Sequence, residues 1–448
     1  MCGYRIIKKA SIAVLSICGE QIYDANQQYH ISNFVIVINE ECGQLFHSCL
    51  TGELVEVTDR SEAYQYLISH WFLVGHRIDE KSMAYKIKRL MRCWSNHLEK
   101  GYKTIEIVTT TKCNARCYYC YEQSFKPMTM SKETANRAVD FIFDHIFNKT
   151  IRIKWYGGEP LMNIPVIDII SKGLLNKGIS ITSTMISNGL LFSEEVIKKA
   201  KNIWHLLNAR ITLDGTAHFY NKTKRYMSCP KNAFQLVLNN IDNLLNNGIS
   251  VTIRLNVEID NMEDVKDLLH FLCEKYRGYK NLDFMIRPLN NTNSNKEIES
   301  FGDIRNYILE LIMLMKSQLV EDGFSVNCGK LSGMTFSTCA ADSGKYVLIK
   351  PNGELAYCST DFDTKAYGSI YDESKPILCP QLSKYPCEKG HICGTCPIYP
   401  LCNPSRLCPS CVKPICNEIQ KKSNILDVVL NIKQYYRNYK ERTKINEN

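Results

Sequence analysis

Between residues 99 and about 320, strand-like and helix-like stretches alternate six times, and nothing else in the chain restricts its fold as strongly. Lys103–Thr110, Ile151–Tyr156, Ile179–Ile186, Ala209–Leu213, Val251–Val257 and Leu282–Arg287 are short and rich in β-branched or apolar residues, as buried strands are. Helical spacing follows at about Lys132–Ile146, Val166–Leu175, Glu194–Ile203, Asn232–Asn246, Met262–Cys273 and Phe301–Leu319. Strands separated by helices return parallel to one another, and a parallel sheet must bury both faces. The pattern predicts an α/β fold, a partial (β/α)6 TIM-like barrel, with its site at the C-terminal ends of the strands.

The flanks differ. Asn33–Ile38, Gln44–Ser48 and Glu53–Val57 read as strands. A helix over Glu62–His70, capped by Asp59 or Ser61, and another from Asp79 to about His97 follow. Residues 1–98 are therefore expected to form a small winged-helix-like α+β domain, and 99–320 the barrel. From 321 to 448 helical period fades, and Gly, Pro and Cys dominate through Cys416. A loop-rich segment with no evident apolar core is naturally stapled by metal, so this part reads as a cysteine-stapled domain. A surface helix over Ile425–Tyr435 and a frayed basic tail end it.

Near the N-terminus, Lys8-Lys9 precede a short apolar run, Ala10–Cys18. No A-x-A-like site follows, so the run is expected to be a first strand and not an export signal. No apolar run approaches the roughly 18 residues a membrane span needs. Twenty-one cysteines, an odd number gathered mainly in two places, read as metal sites of a cytoplasmic protein, not as a disulfide framework. The formal charge of +9 counts thiols as neutral. Metal-bound thiolates would cancel part of it, so the basic balance is no nucleic-acid signature. The excess suits an acidic peptide or an electron donor. There is no Walker loop, no GxGxxG and no internal repeat.

Cys113, Cys117 and Cys120 stand at CxxxCxxC spacing directly after the first barrel strand. Three thiolates can hold three irons of a [4Fe–4S] cluster and leave the fourth open to a small molecule that accepts an electron. Gly157, Gly158 and Glu159 follow the second strand. The glycines let backbone approach a ligand, and their exposed polar groups with the Glu159 carboxylate suit an ammonium, although a plain βα turn reads the same. Ser187-Asn188-Gly189 ends the third strand. Asp214-Gly215 ends the fourth, with Arg225 beyond, and Arg254-x-Asn256 lies on the fifth. Each puts a polar group where a barrel site forms, and each is equally a turn cap or an ion pair. In the C-terminal part, Cys339 and Cys358 frame a CX13GX4C stretch. Cys393, Cys396 and Cys402 follow, then Cys408, Cys411 and Cys416. On spacing alone such CxxC pairs suit zinc as well as iron.

Cys-Asn-x-x-Cys-x-Tyr-Cys-Tyr-Glu, with GGEP one strand later, resembles the radical S-adenosylmethionine (SAM) enzymes, in the branch with a SPASM extension that holds auxiliary clusters. The resemblance implies a SAM-binding [4Fe–4S] cluster on Cys113, Cys117 and Cys120. It implies SAM contacts from Gly157, Gly158, Glu159, Ser187, Asn188 and Arg254, and places Tyr119 near the adenine. Asp214 and Arg225 are then candidates to orient substrate. By the same carry-over Cys339, Cys358 and Cys408, with Cys328 as a further ligand, hold one auxiliary cluster. Cys393, Cys396, Cys402 and Cys416 hold the other. The chain departs from the SPASM pattern after Cys402, where five residues and not three precede Cys408 and where Cys411 is extra, so the roles of Cys408, Cys411 and Cys416 stay open.

What the resemblance implies for function is a radical SAM peptide maturase acting on a ribosomally made, Cys-rich precursor peptide. The product is a thioether or other side-chain crosslink. Residues 1–98 would hold the leader, since resembling maturases often carry such a domain and an unpaired sheet edge can add an extended peptide. A flavodoxin- or ferredoxin-type protein would supply the electron. Formylglycine formation of the sulfatase-maturase kind is the enzymatic alternative. A zinc-ribbon module binding nucleic acid or protein is the alternative of another class.

Overall fold

The structure, a computed structural model, describes residues 3–19, 21–98, 101–228, 232–289, 298–326, 331–334, 344–359, 362, 366–372, 396–402 and 416–446. The chain divides into two compact units. The first joins residues 1–98 to two later stretches, 328–343 and 381–448, and the second comprises 99–327 and 344–380. By this division Cys358 falls in the second unit, and Cys396, Cys402 and Cys416 in the first.

In the first unit the chain runs β1 (Tyr4–Lys8), α1 (Ile12–Cys18), β2 (Tyr29–Ile31), β3 (Val35–Glu40), β4 (Gly43–Ser48), β5 (Leu54–Val57), α2 (Arg60–Ser69), β6 (Leu73–Gly75) and α3 (Glu80–Leu98). Four strands form an antiparallel sheet in the order β1-β5-β4-β3, and β2 pairs with β6. Alternation along the strands gives this sheet two apolar faces. Phe46, Val55 and Val57 pack on Ala63, Leu67 and Ile68 of α2. Ile36, Leu45 and Leu54 belong to the second core, with Val14 of α1, Ala84 and Ile87 of α3, and Tyr399, Ile432 and Tyr436 from the later stretches. Fully burying a Leu or Ile side chain stabilises by about 1.5–3 kcal/mol. Asp59 caps α2 by accepting from the Ser61 and Glu62 amides, as expected.

Ala10–Cys18 is not the strand expected from the sequence. Its core forms α1, which begins after Ser11 and ends at Gly19, held at φ 73°. Seven residues are too short to display a helical period, yet Val14, Leu15, Ile17 and Cys18 all reach the core.

The second unit begins with β7 (Thr104–Thr110), α4 (Lys132–His145), β8 (Thr150–Gly157), α5 (Ile164–Asn176), β9 (Ser180–Ser187), α6 (Glu194–Asn202) and β10 (Leu206–Thr212). It continues with α7 (Ala217–Lys224), α8 (Ala233–Asn246), β11 (Ser250–Val257), α9 (Met262–Lys275), β12 (Leu282–Pro288), α10 (Ile298–Glu321) and β13 (Ser325–Val326). Then come β14 (Tyr346–Ile349), β15 (Glu354–Ala356) and β16 (Gly368–Ser369). Strands β7 to β12 pair in chain order, all parallel. This is the α/β fold of the sequence reading, a parallel-rich sheet consistent with a partial TIM barrel. Ser131 and Ser193 cap α4 and α6 through the Thr134 and Val196 amides.

The sheet is wider than six strands. β13 pairs parallel with β12, and β14 lies parallel on the far side of β7, followed by antiparallel β15 and β16. Tyr346–Ile349 is buried throughout, which is why a segment read as loop joins the sheet. The Tyr346 hydroxyl donates to Glu106 of β7 at 2.7 Å.

The last helix, α11 (Glu418–Asn446), returns to the first unit. It runs through the tail expected to fray. Ile432 and Tyr436 are buried, the Tyr436 hydroxyl donates to Glu56, and Lys440 covers the Tyr436 ring at 4.4 Å. No described helix is long and apolar enough to cross a membrane.

Candidate functional site

The site forms where β7 to β11 end. Strand β7 is buried along almost its whole length and delivers the chain into the loop that carries Cys113, Cys117 and Cys120. Backbone hydrogen bonds pin that loop from several sides. Thr111 N donates to Met128 O (3.0 Å), Arg116 N to Lys224 O (2.8 Å) and Met227 N to Asn114 O (2.9 Å). All three thiols are half-buried and none is in a disulfide. The Ala115 amide donates to Cys113 Sγ at 3.3 Å. Burial pushes Cys113 up to about 12 and Cys120 up to about 11. Without a metal these two are thiols at neutral pH, and iron must displace their protons.

Among the described residues no three His, Cys, Asp or Glu side chains converge as the ligands of a single ion would. A cubane cluster takes one thiolate per iron, so its sulfurs need not meet at one atom. Three half-buried thiols on one pinned loop fit such a cluster.

The Gly157-Gly158 turn does a structural job before any ligand arrives. Gly157 sits at φ 131°, and a Cβ there would lie 2.1 Å from the Thr110 carbonyl oxygen. A Cβ at Gly158 would lie 2.5 Å from Lys112 O and 2.6 Å from Thr111 O. Only glycine lets the end of β8 cross so close beneath the cysteine loop. The Gly158 and Glu159 amides then donate to Thr110 O (3.1 Å) and Lys112 O (3.0 Å), fastening the two strand ends together.

Glu159 is fully buried. Its carboxylate accepts from the Leu161 amide (3.1 Å), the Ser187 hydroxyl (3.0 Å) and the Asn188 amide (2.8 Å). Burial raises it to about 7 despite those bonds. The expected ammonium acceptor is thus also the brace between the ends of β8 and β9. Asn188 extends the brace, its Nδ2 donating to Asn114 Oδ1 at 2.7 Å.

A second knot joins the loop to β10 and β11. The Tyr119 hydroxyl donates to Asp214 Oδ2, and Lys224 Nζ forms an ion pair with the same oxygen at 2.9 Å. The side chains of Lys224 and Asp214 are 3 % and 1 % exposed. Asn256 Nδ2 donates to Asp214 Oδ1 (2.9 Å), and Arg254 Nε to Asn256 Oδ1 (2.8 Å). Burial pulls Lys224 down, but Asp214 and Tyr119 outweigh it, and the amine holds its proton more tightly than usual. Burial drives Tyr119 well above the ordinary phenol range.

Arg225 is not part of this knot. It ends α7 in the left-handed conformation at φ 47°, its side chain exposed and its Nε donating to Lys222 O at 3.2 Å. The buried cation facing Asp214 is the preceding residue, Lys224, which the sequence reading passed over; Asn256 was singled out with Arg254 but given no role of its own. A helix ending at a left-handed residue turns consecutive side chains to different sides, and α7 itself gave no clear sequence signal.

The C-terminal candidates are only partly placed. Cys328, Cys339, Cys393, Cys408 and Cys411 lie outside the described residues. Cys358 follows β15 in the second unit and is half-buried. Cys396, Cys402 and Cys416 belong to the first unit. Cys396 is buried in its core, near enough to Cys49 for the two thiols to act on each other electrostatically. Lys88 Nζ donates to the carbonyls of Tyr399 (2.8 Å) and Cys402.

Comparison with known proteins agrees with the geometry. Residues 107–272 match the profile of the radical SAM superfamily. The chain is 24% identical over 275 residues to a GTP 3′,8-cyclase of Clostridium perfringens, covering 57% of this chain and 79% of that one. It is 23% identical over 347 residues to the radical SAM cyclopropyl synthase TigE of Paramaledivibacter caminithermalis, covering 67% and 69%. Its fold is similar to that of native anSMEcpe with bound AdoMet and Cp18Cys peptide, with TM-score 0.56 at 16% identity over 76% of this chain and 99% of the other. The chain carries a radical SAM domain and is an enzyme.

Proposed function

We propose that this enzyme modifies a ribosomally made precursor peptide by radical SAM chemistry. The observation that carries the reading is the single hydrogen-bonded assembly of Cys113-to-Cys120 loop, Gly157–Glu159 turn, Ser187-Asn188 turn and Tyr119–Asp214–Lys224 knot. Cys113, Cys117 and Cys120 would hold a [4Fe–4S] cluster with one iron open. With SAM bound, such a cluster would supply the electron for reductive SAM cleavage and so for hydrogen-atom abstraction from the substrate.

The chain's own residues prepare that chemistry. Backbone at Gly157 and Gly158 would receive the methionine end of SAM, with Ser187, Asn188 and Arg254 as polar contacts; a guanidinium matches a carboxylate through two parallel hydrogen bonds. Tyr119 would pack near the adenine and, through Asp214 and Lys224, ties the loop to the end of β10. Asp214 orients substrate at the end of β10. Cys339, Cys358 and Cys408, with Cys328, and Cys393, Cys396, Cys402 and Cys416 are candidate ligands of auxiliary clusters that accept the electron afterwards. The external donor is of flavodoxin or ferredoxin type.

The peptide part of the reading is supported by the first unit. In its four-stranded sheet β3 is an outer strand, and an extended leader can add to such an edge through backbone hydrogen bonds. A solved relative of the same fold is bound to a peptide. The GTP cyclase among the sequence relatives uses no peptide by its name, so the barrel alone does not select the substrate.

Anaerobically reconstituted protein is expected to carry about twelve irons if all three clusters load. Replacing Cys113, Cys117 and Cys120 together by Ala should abolish 5′-deoxyadenosine formation; zinc in place of iron, or persisting cleavage, ends the reading. Leader binding is read by amide hydrogen exchange. Added precursor peptide should slow exchange in Val35–Glu40, and protection elsewhere only would remove β3 as the docking edge. Deleting residues 1–98 is a poor test, because they share a core with 396–402 and α11.

A further inference from the structure

The face of the barrel sheet turned away from the helices carries, in Arg210, a charge that the SAM assembly does not use. On β10, Ala209 and Ile211 are fully buried, and Ile211 reaches the same spot as Val237 of α8. Alternation therefore puts Arg210 on the opposite face. Arg254 on β11 and Asp283 and Arg287 on β12 lie near enough to act on the Arg210 charge, as does Tyr156 on β8. Arg210 Nε is buried and, among the described residues, has no hydrogen-bond partner. Burial first, then Arg254 and Arg287, weaken its hold on its proton, and Asp283 opposes them.

Burying a guanidinium donor without a partner costs on the order of 1–3 kcal/mol, more when it is charged. Placing a second and a third guanidinium nearby adds repulsion. Such a cluster is stabilised by an incoming anion that accepts from several forks at once. Of the neighbouring groups, the Asp283 carboxylate offsets only part of this charge, and the Tyr156 hydroxyl is bonded to Tyr121.

We propose that Arg210 forms an anion-binding site on the inner face of the sheet that receives a carboxylate of the substrate peptide. This rests on the peptide reading above and narrows it: the segment entering the barrel carries an acidic side chain or a free C-terminus. Arg210 is then a specificity residue, distinct from the groups that meet SAM.

The test uses the full, reconstituted chain and three small probes: N-acetyl-glutamate amide, N-acetyl-glutamine amide and N-acetyl-glutamine with a free carboxylate. Binding is followed by ligand-observed NMR at fixed ionic strength, with and without saturating SAM. The glutamate amide or the free-acid probe should bind at least about tenfold more tightly than the neutral amide. Which acid wins identifies the side chain or the terminus. Arg210→Gln should remove that preference, and Arg210→Lys should restore part of it. The proposal fails if all three probes bind alike, if Arg210→Gln keeps the preference, or if SAM displaces the acid, which would give Arg210 to the methionine carboxylate instead. Iron content and 5′-deoxyadenosine formation are measured on the same samples. If both persist while the acid preference is absent, the anion site alone is wrong; if both are absent in the wild type, the radical SAM reading has failed separately.

Discussion

Tyr119 and Lys224 meet on one oxygen: the tyrosine hydroxyl lies 2.5 Å and the ammonium 2.9 Å from Asp214 Oδ2. The cysteine loop is thereby tied to a charge pair that water does not reach. Removing one partner of such a pair leaves the other buried and uncompensated. Asp214→Asn is expected to cost about 3–5 kcal/mol in urea unfolding, and Asp214→Asn with Lys224→Met should recover much of it. Equal losses in the single and double variants would show the pair to be unimportant. Arg225→Ala, by contrast, should stay within about 0.5 kcal/mol, since its side chain is exposed.

Glu159 protonates near pH 7 in the folded chain, against 4.5 for the ordinary glutamate. The folded state therefore holds an extra proton across that window. Stability of the protein before cluster loading should fall as pH rises from about 4.5 to 7. Glu122, also raised by burial to about 7, acts in the same direction. Glu159→Gln should flatten the fall in Tm with pH, leaving the part due to Glu122. A variant curve parallel to the wild type would rule Glu159 out as a source.

Gly158 offers a steric test. Gly158→Ala drives a Cβ against two carbonyl oxygens of the cysteine loop, neither able to swing aside as a side chain would. Lower iron uptake on reconstitution and a loss of about 1–3 kcal/mol are expected. Gly178→Ala is the control. It also has positive φ, but nothing lies within 4 Å of its Cβ, so it should lose about 1 kcal/mol and load iron normally. Equal iron loss in both would point to general destabilisation.

In the first unit, Ile432 on α11 is fully buried in the core shared with Leu45 and Leu54. Ile432→Ala should cost about 2–5 kcal/mol, seen as earlier loss of hydrogen-exchange protection in β4 and β5. Unchanged protection there would mean that α11 does not support the sheet.

The six parallel strands were legible because each is a compact apolar run with a helix behind it, and every one lies within three residues of its expected bounds at either end. Strands β13 to β16 were not, because two to four residues beside Gly and Pro carry no period. The cysteine loop and the two turns beside it could be found from spacing. The Asp214–Lys224 pair could not, since a ten-residue separation and a left-handed turn hide which of two adjacent cations faces inward. Arg210 was overlooked for a related reason. A strand expected to be buried on both faces gave no cause to ask what its polar residue meets.

The two-faced sheet of the first unit has a consequence for synthesis. Helix α2 follows its strands at once and covers one face. The other face, with Ile36, Leu45 and Leu54, is completed by Tyr399, Ile432 and Tyr436; hydrogen-bonded Lys88 and Tyr399 are already 311 residues apart. A ribosome therefore releases every strand from β7 to β16 before that face can close. Until then α1 and α3 cover that face only in part, and the first segment made is among the last to finish folding. Slow translation or a missing C-terminal stretch should show itself as aggregation beginning at the N-terminal end.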